Sequence, residues 1–217
     1  MGSMAHLAQT ERHALCDTFE RFGPEAPTLC DPWLTRDLAA HLVLRDRRPD
    51  AALGAAVPRL PLLGPHAQRT QDDYAARDWP GLVDLVRTGP PRWSPTSLGA
   101  VDDLANTAEF FVHHEDVLRA GEAPVQRDLD PALESALWSM LTRMGRVLLR
   151  RSPVGIVAVT PRHGRRKLRS SAGDSVVLRG TPGELLLVAF GRSRVADVEV
   201  DGSREAVSAF EAAQLGL

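Results

Sequence analysis

The segment from residue 106 to residue 116, Asn-Thr-Ala-Glu-Phe-Phe-Val-His-His-Glu-Asp, is the feature that most limits how this chain can fold. On a helix with about 100° per residue, its residues Asn106, Glu109, His113 and Asp116 fall within roughly 80° of one another. Apolar side chains flank this polar stripe and cover the far side of the helix. A surface helix has a single apolar stripe, so this pattern predicts a helix that is buried nearly all round.

Ionisable groups inside such a helix need partners, and a metal ion is a common one. Glu109 and His113 are four residues apart, a spacing that lets both side chains reach one ion. His41, beside the apolar face of a second predicted helix, is the candidate third ligand. Two histidines and one glutamate leave a coordination position open, as in catalytic zinc sites, and they also suit nickel, cobalt or iron. The alternative is a hydrogen-bonded His–Glu pair in the core.

Three further residues of the stripe helix are open between two roles. Asn106 and Asp116 lie on the ligand side, where one role is to orient His113 or to bind substrate, and the other is solvation at the helix surface. His114 points about 100° away from His113 on a helix, which indicates an accessory group more than a ligand.

Two arginines, Arg45 and Arg48, fall on the same side of their helix as His41. A guanidinium beside an open metal position suits a substrate that carries a carboxylate. The alternative is an ion pair with a nearby acidic residue: Asp37, Asp46 or Asp50.

Composition narrows the class of protein. The formal net charge of −2 gives no electrostatic reason to expect nucleic acid or an anionic membrane as a partner. No apolar run is long enough for a membrane span, and no signal peptide is recognisable, so we expect a cytoplasmic protein. The two cysteines, Cys16 and Cys30, are interpreted as small core residues with reduced thiols, although the sequence leaves a disulfide between them open.

The periodicity of the chain changes near residue 150. Residues 1–150 predict an all-helical domain, in which Thr35 is the expected N-cap of the second helix and the last long helix begins after Asp130-Pro131. Residues 151–217 predict a smaller α+β domain with strands near 155–160, 175–178 and 195–200. The basic run 162–167 is interpreted as a solvated hairpin connection.

Three segments of the sequence resemble those of a known protein family. Residues 33–42, Trp-Leu-Thr-Arg-Asp-Leu-Ala-Ala-His-Leu, and residues 109–113, Glu-Phe-Phe-Val-His, resemble the metal-binding domain of mycothiol-dependent maleylpyruvate isomerases. Residues 183–192, Gly-Glu-Leu-Leu-Leu-Val-Ala-Phe-Gly-Arg, are similar to the C-terminal domain of the same proteins. The resemblance implies a DinB-like four-helix bundle followed by a sterol-carrier-like α/β domain. Within this group, the segments 45–50 and 111–116 resemble an actinobacterial metal-binding branch.

The same resemblance implies roles for individual residues. It implies zinc bound by His41, Glu109 and His113, with Arg192 of the second domain near the metal. It also implies a low-molecular-weight thiol, with mycothiol as the candidate, and a small electrophilic substrate that undergoes isomerisation or S-transfer. The second hypothesis is a non-catalytic metal- or ligand-binding protein with a structural metal site. Neither nucleic acid nor a membrane is expected as a partner, and the chain is expected to be a monomer or a homodimer.

Overall fold

The structure is a computed structural model that describes residues 2–48, 63–91 and 100–216. Its described part is mainly helical, with a small mixed sheet, and it divides into two compact units, residues 1–126 and 127–217. This division falls before the long helix that follows Asp130, whereas the sequence predicts a domain boundary after that helix, at residue 150. Within the described ranges, no helix combines the length and apolar character that crossing a membrane requires.

The first unit consists of helices within the described residues. They are α1 (Gly2–Phe22), α2 (Thr35–Arg47), α3 (Leu63–Ala75), α4 (Trp79–Thr88) and α5 (Ala100–Leu118). Helix α1 packs against α4 and α5, and α2 packs against α3 and α4. The core between them is built from apolar side chains that include Phe19, Leu38, Leu82 and Phe110.

Helix α5 confirms the prediction of a helix whose ionisable side chains are buried. Every residue from Phe110 to Arg119 is buried, including two histidines and three other ionisable residues. The polar groups of this helix are therefore held inside the first unit, where solvent cannot replace missing partners.

The start of α2 differs from the expectation. Leu34, not Thr35, occupies the N-cap position, with an extended backbone. The carboxylate of Asp37 accepts a hydrogen bond from the Leu34 N–H at 2.9 Å. The Thr35 hydroxyl instead donates to the Gly23 carbonyl at 2.5 Å, so tertiary contact redirects the side chain that sequence rules assigned to the cap.

The second unit contains three helices and four strands among its described residues. They are α6 (Pro131–Leu148), β1 (Gly155–Thr160), β2 (Gly164–Arg169), β3 (Ser175–Arg179), α7 (Pro182–Ala189), β4 (Glu199–Asp201) and α8 (Arg204–Glu211). The strand order is β2-β1-β3-β4, in which β1 and β3 are parallel and the outer pairs are antiparallel. Helix α7 is completely buried, and α6 packs against α7 and β2.

Strand β2 corrects the interpretation of the basic run. Residues 164–167 are a paired strand of the sheet, not merely the connection of a hairpin. They are all exposed, so the strand shows no alternation of apolar and polar residues. An edge strand of this kind is held by backbone hydrogen bonds to β1, which leave little trace in side-chain periodicity.

Candidate metal centre

The polar stripe of α5 faces α2, and the three predicted ligands lie together there. One nitrogen each of His41 and His113 and one oxygen of Glu109 lie within 4.8 Å of one another. Nε2 of His113 is 3.2 Å from Oε1 of Glu109, and Nε2 of His41 is 3.7 Å from the same oxygen. Ligands about 2.0–2.2 Å from a tetrahedral zinc ion are separated by roughly 3.3–3.6 Å, so these spacings fit one ion.

The ring nitrogens of His41 are available to bind a metal ion. Its Nδ1 is buried without a hydrogen-bond partner among the described residues. The imidazole packs against the indole of Trp33, with ring centroids 5.1 Å apart, and edge-on against the ring of His113 at 5.6 Å. The aromatic neighbours fix the position of the ring, while its nitrogens are not committed to a short hydrogen bond.

Charge is concentrated on Glu109 and His113. Burial is the largest influence on the pKa of Glu109 and raises it, but hydrogen bonds from His113 and His41 and the charge of Arg45 outweigh it and hold the pKa well below its usual value. Burial likewise lowers the pKa of His113, but hydrogen bonds to Asp116, Cys30 and Glu109 together raise it well above its usual value. Without a metal, the His113 imidazolium thus lies between two carboxylates, and a divalent cation would replace one of its protons.

Arg45 borders this cluster. Its Nε lies 3.9 Å from Oε1 of Glu109, and its guanidinium donates a hydrogen bond to the side-chain oxygen of Asn106. Its Nη1 is buried and has no hydrogen-bond partner among the described residues. This leaves a positively charged donor beside the candidate ligands, which suits an anionic ligand.

Arg48 and the acidic candidates lie elsewhere. Nη2 of Arg48 is 3.4 Å from Nε2 of His66 on α3. Asp46 pairs with Arg12 at 3.1 Å, and Asp37 caps α2. The alternative of an Arg45 or Arg48 ion pair with Asp50 lies outside the described residues.

The accessory residues of α5 divide into two environments. Asp116 is fully buried and lies 3.0 Å from Nδ1 of His113, on the side of the ring away from Glu109. A carboxylate at this nitrogen fixes the orientation of a ligating imidazole. His114 instead bridges to α1, with Nδ1 2.9 Å from Glu11 and Nε2 2.8 Å from the Thr18 hydroxyl.

Cys30 is the neighbour that sequence reasoning missed. Neither cysteine forms a disulfide, and Cys16 is a core residue as expected, with a pKa raised to about 12 by burial. Cys30 is only half-buried, and its Sγ lies 3.1 Å from Oδ2 of Asp116 and 4.0 Å from Nδ1 of His113. No sequence spacing links it to residues more than 80 positions away, so only the fold brings it to this cluster.

Arg192, the second-domain arginine implied by the resemblance, belongs to the second unit. It follows α7, and its Nη1 donates a hydrogen bond to the Phe190 carbonyl at 2.6 Å. Its role at the metal stays a prediction.

Two solved structures match nearly the whole chain. Crystal structures of mycothiol-dependent maleylpyruvate isomerase and of a histidine-to-alanine mutant of it match with TM-scores of 0.58 and 0.55. The identities are 15% and 16%, and each match covers 93% of this chain and 90% of the other. The chain shares the fold of these isomerases. No family model matches the chain, and no curated protein does. The resemblance noted in the sequence is therefore confirmed at the level of the fold.

Proposed function

We propose that this protein binds a divalent transition metal, with zinc as the first candidate, through His41, Glu109 and His113. The convergence of their three ligand atoms within 4.8 Å carries this proposal. Two neutral imidazoles and one carboxylate partly balance a dication and leave room for a further ligand. The proposal includes a DinB-like bundle around the site and a sterol-carrier-like second domain, both of which the fold match supports.

We further propose that the protein is an enzyme that uses a low-molecular-weight thiol, with mycothiol as the first candidate. Bound at such a site, a divalent metal favours thiolate over thiol near neutral pH and so supplies a nucleophile. Glu109 and the imidazoles of His41 and His113 would hold the metal, and Trp33 would restrict the position of His41. The reaction class is an isomerisation or an S-transfer on a small electrophile.

The surroundings of Arg45 favour a substrate that carries a carboxylate. Its buried Nη1 lacks an acceptor, so an anionic group placed there would satisfy a donor that the described residues leave unpaired. The guanidinium would orient the substrate and stabilise negative charge that develops on it. Arg48 is proposed as a weaker contributor, because it contacts His66.

Metal binding is tested first, because the rest depends on it. We expect the purified full chain to bind about one zinc ion and His41→Ala to lower zinc affinity, measured by chelator competition, by more than the roughly 10–100-fold lost with an outer-sphere partner. His163→Ala, in the second unit, serves as the matched control and should bind zinc like the unmodified protein. A chain that stays metal-free and does not respond to added zinc would overturn the proposal.

Catalysis is tested separately from binding. Zinc-loaded protein is screened for thiol consumption with several electrophiles, and for isomerisation of maleylpyruvate in the presence of mycothiol. Loss of turnover in both His41→Ala and Arg192→Ala, with helical content retained, is expected for an enzyme. Loss of stability in the first variant with no effect in the second would indicate a structural metal in a non-catalytic binding protein.

A further inference from the structure

His113 has candidate metal ligands at both of its ring nitrogens. Its Nε2 faces Glu109, and its Nδ1 faces a second group made of Asp116 and Cys30. The sulfur of Cys30, Nδ1 of His113 and a carboxylate oxygen of Asp116 lie within 4.8 Å of one another. The imidazole thus separates two groups of ligand atoms.

The second group consists of ligand atoms that could bind a soft metal cation. Its atoms are separated by 3.0, 3.1 and 4.0 Å. Ligands about 2.0–2.3 Å from a tetrahedral ion are separated by roughly 3.3–3.8 Å, so shifts of a few tenths of an ångström would suffice. Thiolate together with imidazole favours zinc, cadmium or cuprous ions over magnesium or calcium.

Burial and charge favour a dication in this position. Asp116 is fully buried and His113 nearly so, whereas Cys30 is half-buried and therefore partly accessible to solvent. The Asp116 carboxylate and a Cys30 thiolate would together neutralise a dication, so no net charge would be left in the interior. The thiol proton of Cys30 and the Nδ1 proton of the His113 imidazolium would both be released to solvent on binding.

We propose that Cys30, Asp116 and Nδ1 of His113 form a second metal seat, for a soft divalent cation such as cadmium or zinc, that competes with the His41–Glu109–His113 seat. The competition follows from the shared ring, because a neutral imidazole has one lone pair and two dications on it would repel each other. This competition rests on the proposed function, whereas the thiolate seat itself does not. A soft cation held at Cys30 would inhibit the protein by taking His113 from the first seat.

Cadmium alone is the probe for the thiolate seat, because sulfur-to-cadmium charge transfer gives an ultraviolet absorption band. We expect cadmium titration of the full chain to produce this band with about one equivalent. The band should persist in His41→Ala and in Cys16→Ala, the matched control for the other thiol, and should vanish in Cys30→Ser. Since Cys30 is half-buried, serine should not disturb folding, which circular dichroism checks.

The proposed thiolate seat is wrong if the cadmium absorption band is missing or does not depend on the sulfur of Cys30. Absence of the band in the unmodified protein, or its loss in Cys16→Ala with retention in Cys30→Ser, would exclude the seat. Cys30 would then act only as a thiol that donates to Asp116, which orients His113. In that event cobalt or zinc binding that depends on His41 would still support the proposed function, so the two failures are distinguishable.

Competition is measured on protein loaded with cobalt, whose visible spectrum reports the ligands of the first seat. Cadmium is expected to abolish the His41-dependent cobalt spectrum in the unmodified protein at concentrations at least about tenfold lower than in Cys30→Ser. Equal cadmium requirements in the two proteins would overturn the competition. Simultaneous binding of both metals with an unchanged cobalt spectrum would overturn it as well.

Discussion

Glu109 and His113 are buried residues that nevertheless favour their charged forms. Each lies where desolvation alone would favour the neutral form, and each is kept charged by the other and by further partners. Replacing one of them removes a close charged partner of the other inside the first unit, which is costly. The pair therefore makes the metal-free protein sensitive to pH.

The sign of that pH dependence follows from the direction of each pKa shift. The pKa of Glu109 is lowered from 4.5, so its contribution to stability is present above that value and is lost as the pH falls through the folded-state pKa. The pKa of His113 is raised from 6.5, so its contribution is full below that value and is lost as the pH rises through the folded-state pKa.

We therefore expect the pair to stabilise the metal-free protein most between pH 4.5 and 6.5, and less with increasing pH above 6.5. Urea unfolding in the presence of a chelator at a series of pH values measures this. His113→Gln should flatten the alkaline decline, whereas His6→Gln, which replaces an exposed histidine, should not. An identical decline in both variants would show that another group is responsible.

At the scale of elements, α5 is held by polar contacts as well as by apolar packing. His114 connects it to α1 through Glu11 and Thr18, and Arg119 lies 2.6 Å from Glu115 within the buried turn at its end. Both members of the latter pair are nearly inaccessible to solvent. The contacts of His114 with α1 fix the rotation of α5, on which the positions of Glu109 and His113 depend.

Breaking the Glu115–Arg119 pair should be costly. We expect Glu115→Gln to lower the free energy of unfolding by about 3–5 kcal/mol, because it removes one charge of a buried ion pair. Urea unfolding of the metal-free protein measures the change. Replacing both residues together, Glu115→Leu with Arg119→Met, should recover much of the loss, and a double variant less stable than the single one would contradict the explanation.

Helix α6 offers a test in the second unit. The Asp130 side chain accepts a hydrogen bond from the Ala132 N–H at 2.7 Å and caps the helix, with Pro131 at its first position. Asp130→Ala should lower the free energy of unfolding by about 1 kcal/mol. Asp128→Ala removes a nearby exposed carboxylate and should have little effect, so equal losses in the two variants would argue against a specific cap.

At the scale of the whole molecule, the candidate metal ligands belong to the unit of residues 1–126, and Arg192 belongs to the unit of residues 127–217. The first unit contains every residue of both proposed metal seats. An effect of Arg192 on turnover would therefore show that the second unit takes part in the reaction.

We expect Arg192→Ala to reduce turnover in the thiol assay by about 100-fold or more, as loss of a charge-stabilising donor does. Zinc affinity should be unchanged, since the arginine is not a proposed ligand. Arg194→Ala, which removes a nearby exposed arginine, is the control. Unchanged turnover in Arg192→Ala would remove this residue from the proposed mechanism.

The sequence by itself determined the features that depend on local order along the chain. The burial of α5, the start of α6 at Asp130 and the mixed helix-and-strand character all follow from periodicity and capping chemistry, because those signals act within a few residues. His41, Glu109 and His113 were predicted as neighbours from helical spacing and from the family resemblance, and the structure brings their ligand atoms together.

Only the tertiary structure decided which distant groups meet. It placed Cys30 beside Asp116 and His113, redirected Thr35 from the cap of α2 to Gly23, and grouped α6 with the sheet. These outcomes depend on packing between segments far apart in the chain, and no short-range pattern encodes such contacts. The polar stripe required a partner by its chemistry, and the fold determined which side chains surround it.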